Sequence, residues 1–194
     1  MILRFQRFTG PRIADVVDDL AALRIAVFRE WPYLYEGDLE YERGYLAGYA
    51  AQAAIVVGAF DGPRMVGAAT GMPLIAHADD FRSAFEGRGL SLDAVFYCAE
   101  SVLLPAFRGK GAGHVFFDQR EDFAKEQGFE RSAFCAVMRP ETHPARPADY
   151  TPLDGFWRKR GYAKLDGVIA RFSWRDIGAA AASEKPLQFW MKDL

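Results

Sequence analysis

The run Arg108-Gly109-Lys110-Gly111-Ala112-Gly113 places three glycines and two cations in six positions, between an apolar stretch and a helical pattern. Glycines at such a junction let backbone N–H groups turn toward an anion with no Cβ in the way, and the helix that follows adds the positive end of its dipole. The chemistry this suits is the holding of a pyrophosphate, with Arg108 and Lys110 adding charge. Two familiar phosphate loops are excluded by the letters. A P-loop needs lysine followed by serine or threonine, and Lys110 is followed by Gly111. A dinucleotide fingerprint needs Gly-x-Gly-x-x-Gly, and after Gly111 and Gly113 the third glycine position is Phe116.

What remains, Arg-x-x-Gly-x-Gly preceded by Val102-Leu103-Leu104-Pro105-Ala106-Phe107, resembles motif A of the GNAT superfamily of acyl-CoA N-acyltransferases. The resemblance spans essentially the whole chain, strongly from Phe96 to Tyr162 and loosely elsewhere. It implies a mixed α/β (α+β) fold whose central sheet is mostly antiparallel, splayed at the cofactor strand and flanked by helices. It also implies acetyl-CoA as cofactor. Leu103, between Val102 and Leu104, then offers backbone groups to the pantetheine arm. Arg108, Gly109, Lys110, Gly111, Ala112 and Gly113 hold the phosphates, with His114 next to them. The same letters also read as a tight strand-to-helix turn without a ligand.

The activity implied is acetyl transfer to a primary amine of a small molecule or peptide, by direct attack in a ternary complex. An ammonium with a pKa of about 10.4 must first lose a proton, so a carboxylate or a water chain near the sulfur is useful. Glu100 is the only acidic residue in the strand leading to the glycine loop, and a carboxylate in an apolar strand needs a partner or a task. It reads as general base, or as half of a structural pair with a nearby arginine. Many members of the superfamily protonate the leaving thiolate with a tyrosine in a pattern like Leu-Tyr-x-x-x-Gly-Phe. The matching segment is Phe156-Trp157-Arg158-Lys159-Arg160-Gly161-Tyr162, so Trp157 stands where that hydroxyl belongs. Tyr150, after the proline-rich segment from Pro140 to Pro152, is the replacement acid we expect. Tyr97 and solvent are its rivals. Loss of the acid also leaves a second function open, a non-catalytic acyl-CoA-binding regulatory module.

The resemblance puts the amine acceptor near the loop joining the first two helices, here Trp31-Pro32-Tyr33-Leu34-Tyr35-Glu36-Gly37-Asp38. Aromatic residues suit a half-buried site with one wet edge. Tyr33 and Tyr35 are expected to line it, with Glu36 or Asp38 attracting a cation, unless these aromatics fold onto the core instead. His77, His114 and His143 lack metal-ligand spacing, and no metal is expected. Arg139, Arg146, Arg158, Lys159 and Arg160 form a basic stretch that would meet the cofactor's 3′-phosphate or remain solvated. Cys98 and Cys135 read as reduced core thiols.

The elements that must position these residues follow from periodicity. Ile2 to Phe8 reads as a strand, and Ile13, Val16, Val17, Leu20, Val27 and Phe28 as an amphipathic helix ended by Trp31-Pro32. A second helix from about Asp38 carries Tyr41, Tyr45 and Tyr49 on one face, expected to pack into the core. Ala53 to Phe60 and Arg64 to Leu74 form a hairpin, followed by a polar helix over 79–86 and a strand over 94–104. Next come a helix over 112–127 stopped by Gly128, a strand over 132–138 and a short helix over 154–160. Strands over 163–171 and 187–192 finish the chain, joined across the flexible tract Gly178 to Ser183. At 194 residues, one domain spanning 1–194 is expected.

A net charge of −2 argues against nucleic acid as the main partner. No stretch approaches the roughly 18 consecutive apolar residues of a membrane span, so no membrane partner and a cytoplasmic location are expected. Homodimerisation is common among proteins of this kind and stays open.

Overall fold

The computed structural model describes residues 2–194. Eight strands form one sheet: β1 Arg4–Thr9, β2 Ile55–Asp61, β3 Arg64–Pro73, β4 Val95–Tyr97, β5 Ser101–Leu103, β6 Arg131–Val137, β7 Ala163–Trp174 and β8 Ser183–Asp193. Five helices flank it: α1 Val17–Phe28, α2 Leu39–Ala47, α3 Ala78–Phe85, α4 Ala112–Glu126 and α5 Asp154–Lys159. The strand order is β1-β2-β3-β4-β6-β8-β7, with β5 also on β3, and only β4 and β6 run parallel. The mixed, mostly antiparallel sheet expected from the sequence is therefore present.

Period-2 alternation decides which helix covers which face. Val56, Ala68, Met72 and Val102 turn toward α1 and α2, where Leu20, Leu23 and Leu46 meet them. Ile55, Val57, Phe96, Cys98, Phe134 and Trp190 turn the other way, onto Phe116, Phe117 and Phe123 of α4. Val95, Tyr97, Ala133, Cys135 and Phe189 pack on Phe81 and Phe85 of α3.

The strand expected over 94–104 is broken. Met72 pairs with Tyr97 and Ala69 with Ser101, so three steps on β3 face four on the other side. The extra residue makes a bulge at Cys98–Glu100, bridged to β3 by Thr70 N–H to Glu100 O (2.9 Å) and Ala99 N–H to Thr70 O (3.0 Å). The bulge redirects the chain. β6 pairs with β4 over Arg131–Ala133, and its last rung is Cys98 N–H to Ala133 O at 2.8 Å. Beyond it Phe134–Val137 stay paired with β8 but have no ladder to β5, so β5 and β6 part as a wedge.

β5 lies close on β3 because β3 has glycine there. A Cβ on Gly67 would stand 2.5 Å from Leu103 Cδ1 and 2.9 Å from the Val102 carbonyl. Two expectations at the ends of elements are corrected. Tyr41 is 63% exposed while Tyr49 is buried, because the buried face of α2 runs through Glu42 and Leu46 at helical spacing; Tyr49 continues that face and Tyr41 falls outside it. The last two strands run longer than their apolar cores, since they pair with each other out to Trp174 and Ser183. No helix among the described residues is long and apolar enough to cross a membrane.

Candidate functional site

The wedge between β5 and β6 opens into a cleft of about 1240 Å³. Its walls are Cys98, Ala99, Ser101 and Leu103 on one side and Phe134, Cys135, Ala136 and Val137 on the other. At one end lies the glycine loop. Gly111 takes φ 85° as the N-cap of α4, and the space its Cβ would enter holds no atom within 4 Å. His114 and Val115 N–H turn back to Gly111 O, whereas the amides of Gly109 through Gly113 have no acceptor among the described residues. Unsatisfied first-turn amides backed by a helix dipole are an anion site in waiting.

The expected loop residues divide in this geometry. Arg108, Gly109, Gly111, Ala112, Gly113 and His114 line the cleft. The Lys110 ammonium turns away and donates to Ala106 O at 2.8 Å. Leu103 lines the cleft, while Val102 is buried in the core and Leu104 packs beside it. Arg108 Nε donates to Leu103 O (2.9 Å) and its Nη1 to Glu30 (2.8 Å), tying strand, loop and the end of α1 together.

Glu100 does not line the cleft. Its carboxylate faces α1 and α2, where it is ion-paired with Arg24, accepts from Thr70 Oγ1, and accepts from Tyr49 Oη at 3.1 Å. Arg24 is also paired with Glu42, whose side chain is fully buried and whose Oε1 has no partner among the described residues. Two carboxylates thus share one guanidinium. Burial by itself would lower the Arg24 pKa, and the charge of Glu100, with Tyr49, Glu42 and Tyr45, reverses that and raises it. Thr70, Arg24 and Glu42 escaped sequence reasoning, and Tyr49 was expected only as a core residue. The one available signal was the charge of Arg24 between Leu20 and Phe28 at helical spacing.

The loop between α1 and α2 also borders the cleft. Tyr33 lines the cleft and packs on Phe28 (4.4 Å between centroids) and Trp174 (5.9 Å). Burial raises its pKa. Tyr35 does not reach the cleft. It packs against the core, its backbone bridges to Asp176, and burial, then the neighbouring Glu42 carboxylate, raises its pKa. Glu36 pairs with Arg175 at 3.2 Å, outside the cleft. The segment after β6 forms the remaining wall. Tyr150 lines it with its ring 5.8 Å from Trp31, and His143 sits 5.1 Å from the same indole. Burial, then the charge of Asp154, raises the Tyr150 pKa, so at neutral pH this hydroxyl keeps its proton and can donate.

The basic stretch is largely neutralised rather than free. Arg139 donates to Pro32 O (2.9 Å) and Tyr33 O (2.7 Å) and grips Asp176 with both Nη atoms at 2.8 Å. Arg160 pairs with Asp118 (2.6 Å) and Glu121 (3.2 Å), and Arg158 with Asp154 (3.7 Å). Burial alone would raise the Asp176 pKa, but hydrogen bonds from Arg139 and Lys185 and their charges lower it below the ordinary 3.8. A depressed folded-state pKa stabilises the fold above the unfolded value and loses that contribution as pH falls through the folded one. Thermal midpoints measured against pH should therefore drop below pH 3.8 in the wild type and drop less in Asp176→Asn.

The two cysteines are free and buried, and both line the cleft. Burial pushes the Cys135 thiol up to about 12, which leaves it a poor nucleophile. No group of histidines, cysteines and carboxylates among the described residues is arranged to hold a metal.

Comparison with known proteins places this architecture. A protein from Desulfovibrio desulfuricans assigned to the GNAT family of acetyltransferases superposes over 99% of both chains, with a TM-score of 0.57 at 12% identity. The chain has the GNAT acetyltransferase fold. The PaiA N-acetyltransferase of Thermoplasma acidophilum, solved in complex with coenzyme A, covers 100% of both chains with a TM-score of 0.56 at 11% identity. A ribosomal-protein-alanine N-acetyltransferase from Brucella melitensis does the same with a TM-score of 0.59 at 16% identity. No protein-family model and no curated protein matches the sequence. In this GNAT fold the splay falls between β5 and β6.

Proposed function

We propose that this chain is an acetyl-CoA-dependent N-acetyltransferase acting on a primary amine of a small molecule or peptide. The observation that carries this reading is a continuous cleft. It runs from unpaired amides at the start of α4, through an unladdered wedge between two strands, to an aromatic pocket. A long ligand with an anionic end and a thin arm fits such a shape. The PaiA enzyme solved with coenzyme A has the same fold.

Acetyl-CoA, when bound, supplies an acetyl group activated as a thioester. The Gly109–Gly113 amides and Arg108 would hold its phosphates, with His114 at the rim and Lys110 contributing charge at longer range. Arg108 has to leave or share the Leu103 carbonyl as it turns to the phosphates, which frees that oxygen for an amide of the arm. Trp31, Tyr33 and Tyr150 would wall the amine, while Tyr35, Glu36 and the Arg139–Asp176 pair support the loop from behind. Tyr150, protonated at neutral pH, is suited to donate to the departing sulfur. Glu100, gripped by Arg24, is proposed as base at one remove, taking the amine's proton through an intervening hydroxyl or water.

The test is release of free coenzyme A thiol against a panel of amines, with wild type and Glu100→Gln. Amine-dependent release, slowed about 10²–10⁴-fold in Glu100→Gln with little change in cofactor affinity, is the expected result. An unchanged rate in Glu100→Gln would return that residue to the Arg24 clamp alone. Cofactor binding without release for any amine would favour the regulatory module, a reading that the tryptophan at position 157 supports.

A further inference from the structure

Arg120 is among the most deeply buried side chains of the protein, 1% exposed, yet it lines the cleft floor. It forms no ion pair among the described residues, in contrast to its neighbour Glu121, which engages Lys192 (2.7 Å), Arg160 (3.2 Å) and Tyr162 (3.2 Å). Every assigned partner of Arg120 is neutral. Nε donates to Phe116 O at 3.1 Å, Nη1 to Thr70 O and Glu100 O at 3.0 Å each, and Nη2 to Ser101 Oγ at 2.9 Å. A guanidinium carries five N–H donors, so one donor on Nη2, beside the Ser101 hydroxyl of the cleft wall, is unassigned.

A buried charge without a counter-ion is costly unless something in the working protein supplies the opposite charge. The acids near Arg120 do not. The Glu100 carboxylate faces the opposite side of its strand and is paired with Arg24, and Glu121 is committed as above. Phe116 and Phe117 of α4, Cys98 of the bulge and Ser101 of β5 surround the guanidinium or share the cleft lining with it, and burial holds Cys135 of the wedge protonated, as it does Tyr97 on the α3 side of the sheet. Arg120 grips the two carbonyls that make the bulge, so its charge is fixed at the point where β5 leaves β6.

We propose that Arg120 supplies the fixed positive charge against which negative charge builds on the departing coenzyme A sulfur, before the Tyr150 hydroxyl protonates it. This rests on the acetyltransferase reading above. The amine nitrogen uses its lone pair to form the C–N bond. The C–S bond breaks with its electron pair staying on sulfur, and the amine's proton leaves to the base or to water. A negative sulfur then lies in a cleft whose floor carries an unpaired cation, and an opposite charge nearby favours the ionised form.

The experiment follows the thiol of bound coenzyme A by its ultraviolet thiolate absorbance across pH, in wild type, Arg120→Met and Arg120→Lys. Coenzyme A binding is checked first by thermal shift, so failure to bind in the wild type counts against the cofactor reading and not against Arg120. Expected is a bound thiol titrating at least about one unit below free coenzyme A in wild type. Most of that shift should be lost in Arg120→Met and retained in Arg120→Lys, which keeps the charge but not the fork. A wild-type bound thiol titrating like free coenzyme A overturns the proposal, and does so even if Arg120→Met fails to fold. An unchanged shift in Arg120→Met also overturns it, leaving Arg120 as a clamp on the bulge.

Discussion

Replacing Arg24 by methionine should lower unfolding stability by about 3–5 kcal/mol, read from the urea midpoint at pH 7, because it strands two buried carboxylates at once. Glu42 has no exposed side-chain surface and Glu100 has 9%, so neither regains water when the guanidinium goes. Against a total stability of about 5–15 kcal/mol, such a loss is a large part of the fold's margin. The sign of its pH dependence follows. Without Arg24, burial raises the folded-state pKa of an unpaired carboxyl above its unfolded value. Stability is then retained below the unfolded value and lost as pH rises through the folded one, so the deficit should shrink as the solution is acidified. Adding Glu42→Gln should recover part of the loss. A midpoint in Arg24→Met equivalent to within about 1 kcal/mol of wild type would mean that water already solvates the cluster, since surface pairs contribute no more than that.

Acetyl-CoA at a hundred times its dissociation constant should stabilise the wild type by about 2.7 kcal/mol, a midpoint rise of roughly 5–10 °C for a chain of this size. Gly111→Val should abolish most of that rise. Its φ of 85° strains any side chain, and the Cβ would project into the open space that the loop amides border. The loop's own strain costs the variant about 1–2 kcal/mol without ligand, so the comparison is of ligand-induced shifts and not of absolute midpoints. An equal shift in both proteins would place the anion elsewhere.

The glycine loop was legible in the sequence because it is local: glycine spacing, the cations and the helix that follows lie within one stretch of chain. The same holds for the β2–β3 hairpin and for α4, each marked by its own turn or periodicity. The bulge that splits β4 from β5 was not legible, because it arises from a count of residues against β3 some thirty positions earlier, and the letters from Val95 to Leu103 alone read as one strand. Glu100 was singled out as a carboxylate in an apolar strand, but its partners come from α1, β3 and the turn after α2. Tyr35 and Glu36 were chosen because the resemblance puts the acceptor at their loop and the loop is rich in aromatic and acidic residues, and the pairing of that loop with the β7–β8 hairpin aims them away from the cleft. Arg24 and Arg120 share one overlooked signature. Each is a charge four residues along from a buried apolar residue on its own helix, Leu20 and Phe116, and so lies on the stripe that faces the sheet.

If the wedge and the glycine loop together hold acetyl-CoA, amide hydrogen exchange will report it at both places at once. With acetyl-CoA, exchange should slow only over Ser101 through His114 and the free end of β6, with α3 unchanged. Unaltered exchange over Ser101–His114 at millimolar acetyl-CoA would mean that the cofactor does not bind there.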